Sequence, residues 1–205
     1  MAITNYGELK TAVADWLNRD DLTLVIPTFI DLAHAKLNRR LRVREMIQRT
    51  TAGISGQFSN LPEDFLELRN IQLNGNPPRS IEYMTIEQMD QERRLNSTPR
   101  TPVYYTLMGS LLELFPTPDQ DYTLELAYYK NIPAMAADAD TNWLLTKAPD
   151  TYLYGALLQA SPYLKDAEET GLWLQAHDMV VAELETEDIG ARYGASTLKA
   201  RHRTY

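Results

Sequence analysis

Apolar side chains recur at helical spacing at both ends of this chain and at every second position in between, and that change of period constrains the fold more than any other feature. Leu9, Val13, Trp16 and Leu17 form one stripe, so residues 6–18 read as an amphipathic helix. Asn5 and Glu8 stand three apart, the spacing of a capping box that satisfies the orphan N–H groups of a helix start. Pro27 suits the first turn of a second helix, whose Ile30, Ala33, Leu37 and Leu41 share a face. From about residue 45 to 130 alternation takes over, punctuated by turn signals at Asn74-Gly75, at Gly109 and in PTPDQD (116–121). Segment 122–129 places Tyr122, Leu124, Leu126 and Tyr128 on one face and Thr123, Glu125 and Tyr129 on the other. Strands 102–107 and 111–115 are expected to pair with it as a meander. Thr85 with Gln88 marks a capped helical turn running to about Leu95.

Helical spacing returns after an Ala/Asp-rich linker, AMAADAD (134–140). Pro149 lies near a helix start, Leu153, Ala156, Leu157 and Ala160 share a side, and Pro162 is expected to stop the helix. Asp166 and Glu169 then cap a further helix, with Leu172, Trp173, Ala176, Val180 and Leu184 expected to face inward. No amphipathic helix can bury its stripe alone, so the two ends should pack together. The expectation is an α+β chain. Its N- and C-terminal helices (1–44 and 134–188) form one antiparallel bundle, an antiparallel β-rich domain (45–133) is inserted between them, and residues 189–205 form an extended basic arm.

The 20 Lys and Arg against 28 Asp and Glu give a net charge of −8, which argues against a free protein that wraps nucleic acid. That figure averages two unlike parts. Residues 189–205 carry Arg192, Lys199, Arg201 and Arg203 and no acid, so the remainder stands at −12 against +4. Such a tail is either a solvated end or a segment that orders on a partner, with Tyr193, Leu198 and Tyr205 as anchors. The absence of cysteine excludes disulfides, thiolate metal sites and Cys nucleophiles. No basic-then-apolar leader and no apolar run near 18 residues occurs, so neither export nor a membrane span is expected. The protein is expected to be made and used in the cytoplasm, or to go where a larger assembly takes it.

Chemistry-bearing patterns are sparse. His34, His177 and His202 stand isolated, so no metal site is expected. No Gly-rich phosphate loop or GxSxG elbow occurs, so neither a cofactor nor a catalytic residue is expected. Glu63-Asp64, Glu113 with Glu125, and Glu168-Glu169 are the carboxylate pairs in view. Each has a simpler reading: a turn, the solvent faces of strands, and a helix first turn where the dipole favours acid. Arg39, Arg40, Arg42 and Arg44 either complement a helix C-terminus or form a docking surface, with direct DNA binding a third possibility. Tyr104-Tyr105 and Tyr128-Tyr129 are adjacent pairs in strands, so alternation turns one ring of each outward. Tyr105 and Tyr129 are the rings expected to face a partner.

The order and wording of several segments resemble the adaptor, or head-to-tail connector, proteins of tailed bacteriophages. The segments are LRVRE (41–45), LPEDFLELRNIQLNGNP (61–77), TPRTPVYYTLMGSLLELFPTPDQDYTLELAYYKNIP (98–133), NWLLTKAPDTYLYGALLQASPYLKD (142–166) and STLKARHR (196–203). The resemblance spans nearly the whole chain, and none of its motifs is catalytic. It implies a structural virion protein at the head–tail interface that docks on the portal protein as a ring of twelve copies. Such a ring completes the head after packaging, meets a tail or nozzle protein, and lets genomic DNA pass without sequence-specific binding. The C-terminal arm, residues 189–205 here, would reach into the portal, while the helices form the ring wall and the β insert points outward or toward the tail. Two other functions stand beside it: a cell-wall-degrading hydrolase using Glu113 and Glu125, and a DNA-packaging accessory using the Arg cluster and tail.

Overall fold

The computed structural model describes residues 2–165 and 167–193. The chain is a mixture of helix and sheet, α+β in class. It divides into two compact units, a helical one of Met1–Glu45 with Ile132–Tyr205 and a β-rich one of Met46–Asn131.

In the helical unit, α1 (Tyr6–Leu17) starts where the Asn5 side chain accepts from the Glu8 N–H at 2.9 Å. The stretch 134–140 is more than a linker. The carbonyls of Asp138 and Asp140 accept from Gly7 and Tyr6 N–H at 2.9 Å each, satisfying first-turn donors that no intrahelical partner can reach. The Asp140 carboxylate accepts from the Ala136 and Ala137 N–H groups at 2.8 Å, which holds its pKa below the usual carboxylate range. Helix α2 (Ile26–Arg40) has Pro27 in its first turn and buries Phe29, Ile30, Ala33 and Leu37. A short helix α4 (Trp143–Lys147), capped by Asn142, leads into α5 (Pro149–Leu164). Helix α5 is the hub, touching α1, α2, α4 and α6 (Ala167–Tyr193).

Two expectations change here. Pro162 does not stop α5, which runs to Leu164 and closes on Lys165 in the left-handed conformation, with its N–H turned back to the last-turn carbonyls. Proline is tolerated there because it breaks the hydrogen-bond ladder only where the ladder is ending. The inward face of α6 is set by His177, Val181, Leu184 and Asp188, not by Leu172, which is exposed, or by Val180. The reason lies on α5: at Gly155 an added Cβ would stand 3.1 Å from Ala33 Cβ and 3.4 Å from the His177 ring. The missing side chain lets α2 and the His177 ring close on α5, and that close approach fixes the rotation of α6.

A chain of hydrogen bonds runs through this unit. Asn38 accepts from the Ile132 N–H at 2.8 Å, which turns its NH₂ toward His34 Nε2 at 3.0 Å. An amide NH₂ only donates, so Nε2 is the acceptor and the ring proton sits on Nδ1, donated to the Tyr152 hydroxyl at 2.9 Å. Asn142 donates to the same hydroxyl and to the Pro133 carbonyl, and its Oδ1 caps α4 through the Leu145 N–H. Tyr152 is fully buried, and burial pushes its pKa up to about 12.

The β unit holds two four-stranded sheets. One has the order β1 (Ile47–Ile54), β8 (Tyr122–Lys130), β3 (Phe65–Leu73), β4 (Arg79–Ser80). The other runs β2 (Phe58–Asn60), β7 (Leu111–Phe115), β6 (Tyr104–Met108), β5 (Glu82–Tyr83), with β5 and β6 parallel. The β6–β7 hairpin turns at Gly109, whose φ of +60° only glycine adopts without strain. The expected three-strand meander does not form: PTPDQD carries the chain from β7 to β8 in the other sheet, between β1 and β3. That place suits β8, because Leu124 and Leu126 through Tyr129 are all buried, as a central strand requires. Ile54, Ile71, Leu73, Leu124 and Leu126 of one sheet meet Leu112 and Leu114 of the other in a shared core. Helix α3 (Ile86–Leu95), with the capping box of Thr85 and Gln88, contributes the fully buried Met89.

Burial lowers the pKa of both His34 and His177, the latter with help from Arg40. A depressed histidine pKa stabilises the fold above the unfolded value near 6.5 and is lost as pH falls. The melting temperature is therefore expected to drop between pH 7.5 and 5.5, above the range where carboxylates titrate, and His34→Gln should flatten that slope; an unchanged slope would contradict the assignment. Gly155→Leu should overpack the α2–α5 contact and cost about 1–3 kcal/mol in denaturant unfolding.

Candidate functional site

Helix α2 ends in cations. Arg39 and Arg40 occupy its last turn, where positive charge suits the dipole. Arg42 turns back onto the helix end, donating to the Asn38 and Leu41 carbonyls at 2.9 and 2.6 Å. Arg40 pairs with Asp178 of α6, and Arg44 stands 3.5 Å from the Glu45 carboxylate. Glu45 also pairs with Lys147 at 2.8 Å, and Lys147 with Glu187 at 3.0 Å.

Asp188 joins this end of α2 to the end of α6. Buried at 5% exposure, its carboxylate accepts the Arg44 N–H at 2.7 Å and forms an ion pair with Arg192 at 2.7 Å. Arg192 also donates to the Arg42 carbonyl at 3.0 Å. Residues 189–193, expected to open the arm, are helical instead: α6 continues to Tyr193 and Arg192 is committed within the helical unit. The i, i+4 spacing of Asp188 and Arg192 is the signal that points to helix here. Tyr193 is the last described residue of α6, while Leu198, Lys199, Arg201, Arg203 and Tyr205 lie outside the described residues.

Of the four arginines, three are thus engaged within the unit and Arg39 is left exposed, with no ion pair among the described residues. Beside it a groove of about 270 Å³ opens between α2, α5 and α6. Leu37, Leu158 and Leu174 line its apolar part, and Lys36 and Arg39 bring positive charge to its edge. Sequence reasoning found the charge but missed the groove, because the groove needs Leu158 and Leu174 from two other helices.

The tyrosine expectation is corrected. Tyr129 is buried, not outward-facing, with the Arg69 guanidinium 6.0 Å from its ring centre and Ile47 and Glu67 as cross-strand neighbours. Tyr105 is half-buried against the sheet core and meets Tyr83 edge-to-face at 5.7 Å. Tyr83 is the exposed member of that pair. Strand alternation exposes one ring only where the second face meets water, and on β8 it does not. Trp16, read as part of a buried stripe, is half-exposed and forms a three-ring cluster with Tyr154 and Trp173 at 5.7–6.2 Å.

Glu113, Glu125 and Asp64 each have a separate partner. Glu113 is buried, not on a solvent face; it accepts from Gln57 at 2.8 Å and pairs with Arg93 of α3, so it locks that helix to β7. Glu125 pairs with Arg49 at 2.8 Å and accepts from Gln72 at 2.9 Å, a cross-strand trio over β1, β8 and β3. Glu113 and Glu125 belong to different sheets. Asp64 accepts from the Tyr128 hydroxyl at 2.8 Å, and burial with this carboxylate pushes the Tyr128 pKa up to about 12. His34 and His177 serve packing and hydrogen bonding, as described. No group of three or more His, Asp or Glu among the described residues could hold a metal ion, and no described helix is long and apolar enough to cross a membrane.

No curated protein matches the chain. A family profile does: the chain matches that of the SU10 adaptor protein over residues 4–201 and belongs to this family of phage adaptor proteins. The family's role is structural, that of a virion component.

The Asp188 clamp has a measurable value. Asp188→Ala leaves the Arg44 N–H without its acceptor and the Arg192 guanidinium without its carboxylate, and should cost about 2–3 kcal/mol in denaturant unfolding. Glu187→Ala, one position away on the exposed side, should cost under about 1 kcal/mol.

Proposed function

We propose that this member of a phage adaptor family docks as a ring of twelve copies on the portal protein. There it completes the head after packaging, extends the DNA channel and hands on to a tail or nozzle protein. The observation that carries this reading is the extent of the family match, which covers the folded units and continues into the basic tail to residue 201.

Charge supports it in two ways. A net-acidic body repels phosphate, so a genome slides past instead of being held. The tail carries Lys199, Arg201 and Arg203 without an acid, and cations of this kind steer toward an acidic protein surface, with Leu198 and Tyr205 as apolar and aromatic anchors. Because Arg192 is engaged within the helical unit, the arm proposed for portal docking is residues 194–205. The surface proposed for a neighbouring subunit or partner narrows to Lys36, Arg39 and the groove beside them.

Truncating after Tyr193 should abolish co-sedimentation with the cognate portal while leaving circular dichroism and melting temperature unchanged. Truncating after Asp188 should also lower the melting temperature, since it removes Arg192. Normal docking by the first truncation would refute the arm's role. The full chain should not shift duplex DNA at about 150 mM salt; a steep salt-dependent shift there would favour a DNA-binding accessory instead.

A further inference from the structure

A ring needs one surface on each copy to fit a different surface on the next, and the helical unit carries two candidate surfaces, near opposite ends of α2. The first is the groove described above: an apolar floor of Leu37, Leu158 and Leu174 with His177, edged by Lys36, Arg39 and the mutually paired Arg40 and Asp178, which leaves the edge net positive. At about 270 Å³ it falls below the roughly 300–1,000 Å³ typical of small-molecule sites, and is of a size for a side chain. The second is the loop before α2. Leu24 there is 91% exposed, more than any other large apolar residue of the described chain.

That loop is built, not loose. Leu22 is buried beneath it and its carbonyl accepts from Val25 and Ile26 N–H at 2.8 and 2.9 Å. Thr23 Oγ1 donates to the Asp20 carbonyl at 3.0 Å, and Arg19 grips Asp21 through two nitrogens at 2.7 Å each. Asp20 remains exposed, with no ion pair among the described residues. An apolar knob therefore stands beside an unpaired acid, and an apolar slot stands beside unpaired cations.

We propose that Leu24 of one copy fills the groove of the next, with Asp20 set against Lys36 and Arg39, as the repeating contact between protomers. Leu24 cannot reach the groove of its own chain. Helix α2 lies between them and rises about 1.5 Å per residue, so roughly 15–20 Å of rigid helix separates Leu24 from Leu37. The two surfaces differ, so the contact is head-to-tail and propagates around a ring. The proposal rests on the ring reading above.

The absence of cysteine provides the test. In concentrated solution under mild oxidation, full-length Leu24→Cys/Leu174→Cys should give a ladder of disulfide-linked trimers and larger species on a non-reducing gel. Either single variant can give at most dimers. Adding Lys36→Glu/Arg39→Glu should reduce the ladder at least about tenfold, and a further Asp20→Lys should restore it. Association of the wild-type chain by light scattering, alone or on the portal, without a ladder from the double variant would overturn this contact and leave the ring reading standing. A chain that stays monomeric in both conditions and gives no ladder would overturn the ring reading and the contact together.

Discussion

The helical unit is made from two stretches of chain separated by the whole of residues 46–131, and the hydrogen bonds linking Ile132, Asn38, His34, Tyr152 and Asn142 close it. Hydrophobic burial alone would bring the helices together without fixing their register, because a leucine stripe tolerates sliding by a turn. A chain of five polar groups does not slide: each donor has one acceptor at 2.8–3.0 Å, and a buried partner left unmade costs about 1–3 kcal/mol. These bonds pin the segment at Ile132 and Pro133, set the start of α4 through Asn142, and hold α2 against α5. The groove, the cationic end of α2 and the Asp188 clamp all inherit their places from that arrangement.

Much of the fold was legible because it depends on local patterns. Asn5, Thr85 and Gln88 announce helix starts through side-chain oxygens that only a helix N-terminus needs, and Gly109 announces a turn through its positive φ. What was not legible depends on partners far away in sequence. The pairing of β8 with β1 and β3 is decided by burial on both of its faces, which alternation within one strand does not reveal. The inward face of α6 carries His177 and Asp188, which a search for apolar stripes passes over. Their places follow from Gly155 on α5 and from the Arg44 backbone, one close approach and one donor that no local window contains.

The candidate site was legible to the same degree. Four arginines clustered in sequence suggested a docking surface, yet folding sets the Arg40, Arg42 and Arg44 side chains against Asp178, helix-end carbonyls and Glu45. Only Arg39 and the neighbouring Lys36 remain at the surface beside an apolar groove. The carboxylates that suggested hydrolysis are likewise held by Arg93 and Arg49. Many charged residues here tie elements together, and Asp20, Lys36 and Arg39 are the ones the proposed contact between copies uses.

Those leftovers fit a protein whose family is structural. An acidic body, a cationic groove edge, the exposed Leu24 and a basic tail are the features on which the proposed assembly rests. Native mass spectrometry of the full-length chain mixed with its cognate portal ring tests this most directly. Portal docking as a closed ring predicts one added mass equal to twelve copies of the chain, with no partial series at saturation. A portal whose mass is unchanged by excess chain would contradict it.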